Sequence, residues 1–180
     1  MVSDSVFFSA IGLVVLVAVA AAIYRIVHTV RMNKELGNAV GNKYVLLTVL
    51  CVAVALISWI FNFGWMRVVL SVFGFPLLYA AFFCFANCMA AARAAESDVM
   101  RKCILWSCVT YVTVHLCFPD AGGESDMYVF FSLIRDDTVA DIAFEVSLLI
   151  FLVNIVLLIL EIVIASIWKK PSPPPADVTE

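Results

Sequence analysis

The feature that most constrains this chain is an apolar run from Tyr44 to Ala92, in which Arg67 is the only charged residue. An α-helix rises about 1.5 Å per residue, so about 20 apolar residues cross the ~30 Å hydrocarbon core of a bilayer. The run is long enough for two crossings. Its middle segment, FNFGWMR, contains glycine, asparagine and arginine beside a tryptophan, which favours a tight turn at the membrane interface. The run therefore predicts two transmembrane helices joined by a short turn.

Three further apolar runs extend this pattern to a whole membrane domain. Hydrophobic residues make up 64% of the 180 residues and charged residues 14%, and no stretch is polar enough to form a separate aqueous domain. We expect an all-α integral membrane protein, with residues 1–170 forming one bundle of five helices. The fourth helix is short, and the count falls to four if it does not cross. The predicted spans are residues 5–24, 44–62, 68–92, 103–118 and 143–168.

The charges between the spans predict an orientation. Basic residues concentrate in one set of connections and acidic residues in the other, and cytoplasmic loops of membrane proteins carry an excess of Lys and Arg. We therefore expect a multi-pass protein of the plasma (inner) membrane, with its N-terminus outside and its C-terminus in the cytoplasm. The segments assigned to the cytoplasm are 25–43, 93–102 and a Pro-rich tail at 171–180.

Polar residues inside the predicted spans or near their ends fall into two groups. An ionisable group in the hydrocarbon core is costly, so it normally faces protein and marks either a function or a structural pairing. The two interpretations here are a proton or ion relay through Glu161, and hydrogen bonds that hold the bundle together. The predicted inner layer consists of Asn87, Ser107, Asn154 and Glu161, and the predicted outer cluster consists of Arg67, His115 and Glu145.

The third predicted span contains residues that shape helix packing. Gly74 and Pro76 predict a kink, because proline removes a backbone donor from the helix. Ala86 and Ala90 are four residues apart on one helix face, which allows another helix to approach closely. That helix can belong to the same chain or to a second copy, so the pattern leaves a homo-oligomer open.

The predicted outer loop contains an apolar segment, MYVFFSLI at residues 127–134, that is flanked by acidic residues. So short a segment cannot cross a bilayer. We expect it to lie along the outer membrane surface or to fold over the bundle as a lid. It is either a spacer or a docking surface for something that arrives from outside. The candidate sensor residues are Asp120, Asp126, Tyr128, Phe130 and Phe131.

The sequence contains no pattern typical of an enzyme. It has no phosphate-binding glycine loop, no grouped nucleophile and base, and no metal-ligand spacing. Its basic residues do not alternate with aromatic residues as they do on nucleic-acid-binding surfaces. We expect a protein with no catalytic residues, no metal site, no cofactor and no direct contact with nucleic acid. Its expected partners are the lipid bilayer, a cytoplasmic protein and, if the alanine face is used between chains, a second copy.

The size of the chain, its apolar bundle, FNFGWMR and the outer-loop sequence FPDAGGESDMYVFFSLI together resemble the KwaA family, the membrane subunits of the Kiwa anti-phage defence system. The resemblance implies a membrane sensor whose cytoplasmic partner acts on phage DNA replication or expression. It implies four spans rather than five and assigns no functional residue. We therefore expect a sensor or anchor subunit. The alternatives are an immunity protein against a pore-forming toxin and a small transporter or channel that uses Glu161.

Overall fold

The structure is a computed structural model that describes residues 2–62, 64–121, 127–131 and 133–167. The predicted tail at 171–180 lies outside these residues. The described part of the chain forms helices and one small sheet, so the mainly helical character expected from the sequence is confirmed. The helices are α1 (Val2–Glu35), α2 (Ala39–Phe61), α3 (Trp65–Val72), α4 (Phe75–Ala91), α5 (Asp98–Cys117) and α6 (Asp137–Ile167).

Side-chain caps explain where α2 and α5 begin. The Asn38 side chain accepts a hydrogen bond from the Gly41 N–H (2.7 Å) at the start of α2. The Ser97 hydroxyl oxygen accepts one from the Met100 N–H (3.3 Å) at the start of α5. Such caps satisfy N–H groups that have no partner within the helix. Gly37, with a φ of 66°, provides the left-handed turn between α1 and α2.

In the described part of the chain, three helices are long and apolar enough to cross a membrane: Val6–Glu35 within α1, the whole of α2, and α6. A fourth crossing results if α3 and α4 are counted together as one bent span. Helix α5 does not have this character, because Arg101 and Lys102 shorten its apolar part, although it packs against α2, α4 and α6. The predicted bundle of five crossings is therefore not confirmed, whereas three or four helices of membrane-spanning character are.

The predicted third span, residues 68–92, consists of two helices. Helices α3 and α4 meet at Gly74 and differ in direction by 69°. Gly74 has a φ of 68°, which glycine adopts without strain, and a Cβ atom at this position would collide with Val15 of α1. Pro76 lies in the first turn of α4, where a backbone N–H has no helical partner in any case. The chain therefore changes direction at Gly74 and starts a new helix.

Helices α1, α2, α5 and α6 all extend beyond their predicted spans, and α1 and α6 extend furthest. Helix α1 continues past Tyr24 to Glu35, and α6 begins at Asp137 rather than at residue 143. The added turns are polar, and an exposed ion pair joins Arg31 to Glu35 at 3.0 Å on the extension of α1. Hydropathy marks where a helix becomes too polar for lipid, whereas the helix ends where its backbone hydrogen bonding ends. The predicted membrane span is therefore shorter than the helix that contains it.

The described part of the predicted outer loop forms a three-stranded antiparallel sheet at one end of the helices, which we call the sheet end. Strand β1 (Asp120–Ala121) pairs with β2 (Met127–Val129), and β2 pairs with β3 (Ile134–Arg135). In the described part of the apolar segment at 127–134, β2 pairs with β3, and the Phe130 N–H donates to the Leu116 carbonyl oxygen of α5 (3.2 Å). Strand β1 packs against α3, and β2 packs against α6.

Helix α4 is central and packs against each of the other five helices. Small side chains make this contact possible, since Ala86 and Ala90 are fully buried. Gly41 of α2 lies so close to α4 that a Cβ atom there would be 2.6 Å from the Ala91 carbonyl oxygen. The alanine face is therefore used for packing within the chain, and a homo-oligomer would require a different surface.

Candidate functional site

At the sheet end, the guanidinium of Arg67 is completely buried and bonded on several sides. Nη1 donates to the Ser58 carbonyl oxygen (2.8 Å), and Nη2 donates to the carbonyl oxygens of His115 (3.1 Å) and Phe118 (2.8 Å). These carbonyls lie at the C-terminal ends of α2 and α5, where the helix dipole favours a positive charge. Arg67 of α3 therefore ties the ends of α2 and α5 to α3.

Asp120 of β1 reaches the same point from the sheet. Its carboxylate accepts hydrogen bonds from the backbone N–H groups of Gly64 (3.0 Å), Met66 (3.0 Å) and Arg67 (3.1 Å) around the first turn of α3. It also lies 3.7 Å from Arg67 Nε, and both charged side chains are fully buried. A carboxylate at a helix N-terminus satisfies free donors and interacts favourably with the helix dipole. The pair therefore fastens the sheet to α3.

Two members of the predicted outer cluster lie together and the third does not. Arg67 contacts His115 through the carbonyl bond described above. Glu145 is exposed on α6, and among the described residues no hydrogen bond or ion pair joins it to the other two. The carboxylate beside Arg67 is that of Asp120, which the sequence patterns assign to the loop rather than to this cluster.

Aromatic rings surround the buried charge. The Arg67 guanidinium lies over the Trp59 ring at 4.9 Å from its centroid, a favourable cation–π geometry. The His115 ring stacks on Tyr79 with centroids 5.6 Å apart, and its Nδ1 lies 2.9 Å from the Tyr111 carbonyl oxygen. His115 therefore has an apolar, aromatic environment rather than an aqueous one.

The sensor candidates of the sheet are arranged around a strained turn. Tyr128 pairs with Asp120 across β1 and β2, and partial burial together with this carboxylate raises the pKa of Tyr128. Phe130 and Phe131, in the turn after β2, have φ values of 52° and 59°. Positive φ costs a bulky side chain about 1–2 kcal/mol, and such strain is concentrated at functional sites. Asp126 lies outside the described residues.

Deeper in the bundle, Asn154 joins three helices. Its Nδ2 donates to the Ser107 carbonyl oxygen (2.8 Å) and to Thr110 Oγ1 (2.8 Å) of α5. Its Oδ1 accepts a hydrogen bond from the Tyr79 hydroxyl (2.7 Å) of α4. Asn154 is fully buried on α6. The arrangement satisfies the amide while it fixes α4, α5 and α6 relative to one another.

Asn87 and Ser107 form a second link between α4 and α5. The Ser107 hydroxyl donates to Asn87 Oδ1 (3.1 Å), and Asn87 Nδ2 donates to the Phe83 carbonyl oxygen of its own helix (3.0 Å). Because Asn154 bonds the Ser107 backbone, the structure brings three of the four predicted inner-layer residues into one hydrogen-bonded network.

The fourth inner-layer residue, Glu161, has a different environment. Its side chain is fully buried, and neither carboxyl oxygen has a hydrogen-bond partner among the described residues. Ser107 faces this carboxyl, but its hydroxyl is outside hydrogen-bond geometry and is bonded to Asn87. Cys103 and Cys108 of α5 lie near it. Burial without a partner disfavours a charged carboxylate, so the site favours a protonated side chain.

Three residues of these networks are not singled out by the sequence patterns. Tyr79 carries a signal, because a buried tyrosine hydroxyl usually has a hydrogen-bond partner. Thr110 and Ser58 carry little signal, since Thr and Ser hydroxyls in helices commonly bond their own backbone. Ser58 instead donates to the His115 carbonyl oxygen of α5 (2.7 Å), a contact that depends on how α2 and α5 are placed.

Comparisons of the sequence with protein-family models and with curated proteins, and of the fold with solved structures, give no match.

Proposed function

We propose that this chain is a non-enzymatic membrane sensor or anchor, the membrane subunit of a bacterial anti-phage defence system that acts with a cytoplasmic protein partner. The observation that supports this best is the buried Asp120 carboxylate, which joins the outer sheet to the first turn of α3. Burying a carboxylate is costly unless it is paired and hydrogen-bonded. A loop that only connects two helices has no need of such a contact.

A continuous series of packed elements leads from this contact to the other end of the molecule. Movement of the sheet that withdraws Asp120 would remove the acceptor from three N–H groups around the first turn of α3. Helix α3 is short and meets α4 at Gly74, where the backbone can change direction. Helix α4 ends beside the start of α2, where Ala91 approaches Gly41. A change at an electrostatic contact of this kind is how many switches begin.

The proposed orientation places the sheet end outside and the other end in the cytoplasm of a cell with an inner membrane. Arg31, Lys34 and Lys102 are exposed at the end away from the sheet, consistent with the positive charge of cytoplasmic loops. Asp136 and Asp137 are exposed beside the sheet. The basic surface is where an acidic face of the cytoplasmic partner would bind.

Replacing Phe130 and Phe131 together with Asn and Gly tests the outer turn. Asn and Gly adopt positive φ readily, so the variant keeps the hairpin and relieves its strain while it removes both aromatic rings. We expect a normal amount of protein in the membrane fraction but a loss of protection. Protection is measured by plaque counts when the chain and the product of its neighbouring gene are expressed together in bacteria challenged with phage.

The matched control replaces the same two residues with tyrosine, which keeps the rings and should keep protection. Protection by the Asn-Gly variant at the wild-type level would reduce the turn to a spacer. If the wild-type chain gives no protection beside its neighbouring gene product, the defence assignment itself is wrong.

A second candidate function, a small transporter or channel, is favoured by one observation. Glu161 is a completely buried carboxyl group without a hydrogen-bond partner in the described part of the chain, and ionisable residues inside a membrane protein commonly mark proton or ion pathways. A carboxyl group held only for structure normally has a bonded partner.

The transporter interpretation predicts a pH-dependent flux of protons or cations in liposomes that Glu161→Gln abolishes. Glutamine keeps the shape of the side chain and, because Glu161 has no hydrogen bond to lose within the described part of the chain, the variant should be at least as stable as the wild type. Ser166→Ala on the exposed face of the same helix is the control and should leave the flux unchanged. The absence of any flux from the wild-type protein across the pH range would exclude this candidate.

A further inference from the structure

A large apolar cavity lies at the sheet end, between α3 and the ends of the neighbouring helices. Its volume is about 500 Å³, within the range of about 300–1,000 Å³ that is usual for pockets holding a small ligand. Protein interiors are otherwise close-packed, with few voids larger than a water molecule. Helix α3 leaves the line of α4 by 69°, and the cavity lies between residues of α3 and residues of α6. Its walls include Trp59, Val69, Phe75, Val114 and Phe151.

Most polar groups on the wall are bonded to protein, including His115 Nδ1, which lies 2.9 Å from the Tyr111 carbonyl oxygen. The Tyr79 hydroxyl donates to Asn154 Oδ1, the Ser147 hydroxyl donates to the Phe144 carbonyl oxygen (2.8 Å), and Trp59 Nε1 donates to Ser71 Oγ (3.0 Å). A polar ligand would therefore find little to replace the hydrogen bonds that it makes with water. The wall favours a hydrocarbon occupant.

The mouth of the cavity is continuous with the apolar perimeter of the helices. Trp65 and Leu148 belong to the wall and are 65% and 51% exposed. Leu152, about one turn along α6 from Leu148, is also exposed. In a bilayer this perimeter is covered by lipid chains, so the cavity opens sideways to lipid. Tryptophans at the mouth are typical of the depth at which the headgroup region begins.

We propose that this cavity binds one acyl chain of a phospholipid from the leaflet at the sheet end. The chain would enter between α3 and α6 and lie against Phe75 and Phe151, and the headgroup would remain at the interface near Trp65. An apolar cavity open to hydrocarbon gains van der Waals contacts when a chain fills it. Helix α3 forms one wall of the cavity and carries Arg67. The bound chain therefore packs against the same short helix that the Asp120 carboxylate caps.

Photo-crosslinking tests this proposal directly. The full chain is reconstituted in phosphatidylcholine vesicles that contain a trace of phosphatidylcholine with a diazirine on one acyl chain, and the labelled residues are mapped by mass spectrometry after illumination. Tyr79 and Val114 line the cavity but are only 6% and 7% exposed. A chain outside the protein has little access to them, so adducts at these two residues are expected only if the chain enters the cavity. Leu152 on the perimeter should be labelled in any case.

Two cavity-filling variants provide the control. Ser147→Phe on α6 and Leu70→Trp on α3 add volume from opposite walls, and each should abolish the adducts at Tyr79 and Val114 while labelling of Leu152 persists. Two variants are used so that poor folding of one does not decide the result. Labelling confined to the perimeter, or adducts at Tyr79 and Val114 that both variants retain, would overturn the proposal. Labelling of the cavity by a diazirine fatty acid but not by the phospholipid would also overturn it, in favour of a free fatty acid.

Discussion

Asp120→Ala is expected to lower the free energy of unfolding by about 3–5 kcal/mol, the range found when one partner of a buried ion pair is removed. The wild-type carboxylate accepts three backbone hydrogen bonds around the start of α3 and lies 3.7 Å from Arg67 Nε. Alanine leaves those N–H groups without an acceptor and leaves the Arg67 charge, which is fully buried, without its counter-ion. The effect should be largest at the sheet end, because the sheet loses its attachment to α3.

Two measurements check this prediction. Unfolding in mixed micelles gives the change in stability, and limited digestion with trypsin should cleave faster after Arg135, which is exposed on β3. Glu35→Ala is the matched control, since it breaks an ion pair whose members are 82% and 64% exposed, and such pairs contribute no more than about 1 kcal/mol. Equal small losses in the two variants would mean that the Asp120 contact does not hold the sheet to the bundle.

The mainly helical fold can be predicted from the sequence because of a simple rule: a helix that crosses lipid must be long and apolar. Long apolar runs predict membrane-length helices, and α1, α2 and α6 have the required length and apolarity. Apolar length alone does not predict whether a shorter or interrupted apolar segment forms a membrane-spanning helix. Helix α5 has too little apolar length for the rule, and the break at Gly74 depends on a left-handed backbone and on contact with Val15. Both features are set by packing between helices that are distant in sequence.

The candidate site could be predicted only in part for the same reason. Helical periodicity indicates that Asn154 and Glu161 face the interior, and both are buried. It does not indicate that Asn154 bonds Tyr79 and Thr110 while Glu161 has no hydrogen-bond partner in the described part of the chain. The pairing of Arg67 with Asp120 was also beyond the sequence, because a carboxylate in a loop can face solvent or protein. Whether the Asp120 carboxylate faces solvent or protein depends on where the sheet packs against the helices.

Asn154→Leu is expected to lower the free energy of unfolding by about 2–3 kcal/mol. Leucine has a similar volume, so the change removes hydrogen bonds with little change in packing. The Tyr79 hydroxyl loses its acceptor, and the two donations to α5 disappear. Single interhelical hydrogen bonds in membrane proteins contribute about 0.6 kcal/mol on average and about 1.7 kcal/mol at most. The larger total expected here arises because three bonds meet at one side chain and a buried hydroxyl is left unpaired.

A double-mutant cycle with Tyr79→Phe separates these contributions. Phenylalanine removes the hydroxyl that Asn154→Leu would leave unpaired, so the double variant should lose less stability than the sum of the two single variants. Ser166→Ala on α6 removes an exposed hydroxyl that bonds only its own helix in the described structure and should change stability by less than about 0.5 kcal/mol. Strict additivity would mean that Tyr79 and Asn154 do not share a bond. It would follow that the Tyr79 hydroxyl does not hold α4 to α6, whereas the two bonds from Asn154 to α5 would still account for the loss in the Asn154→Leu variant.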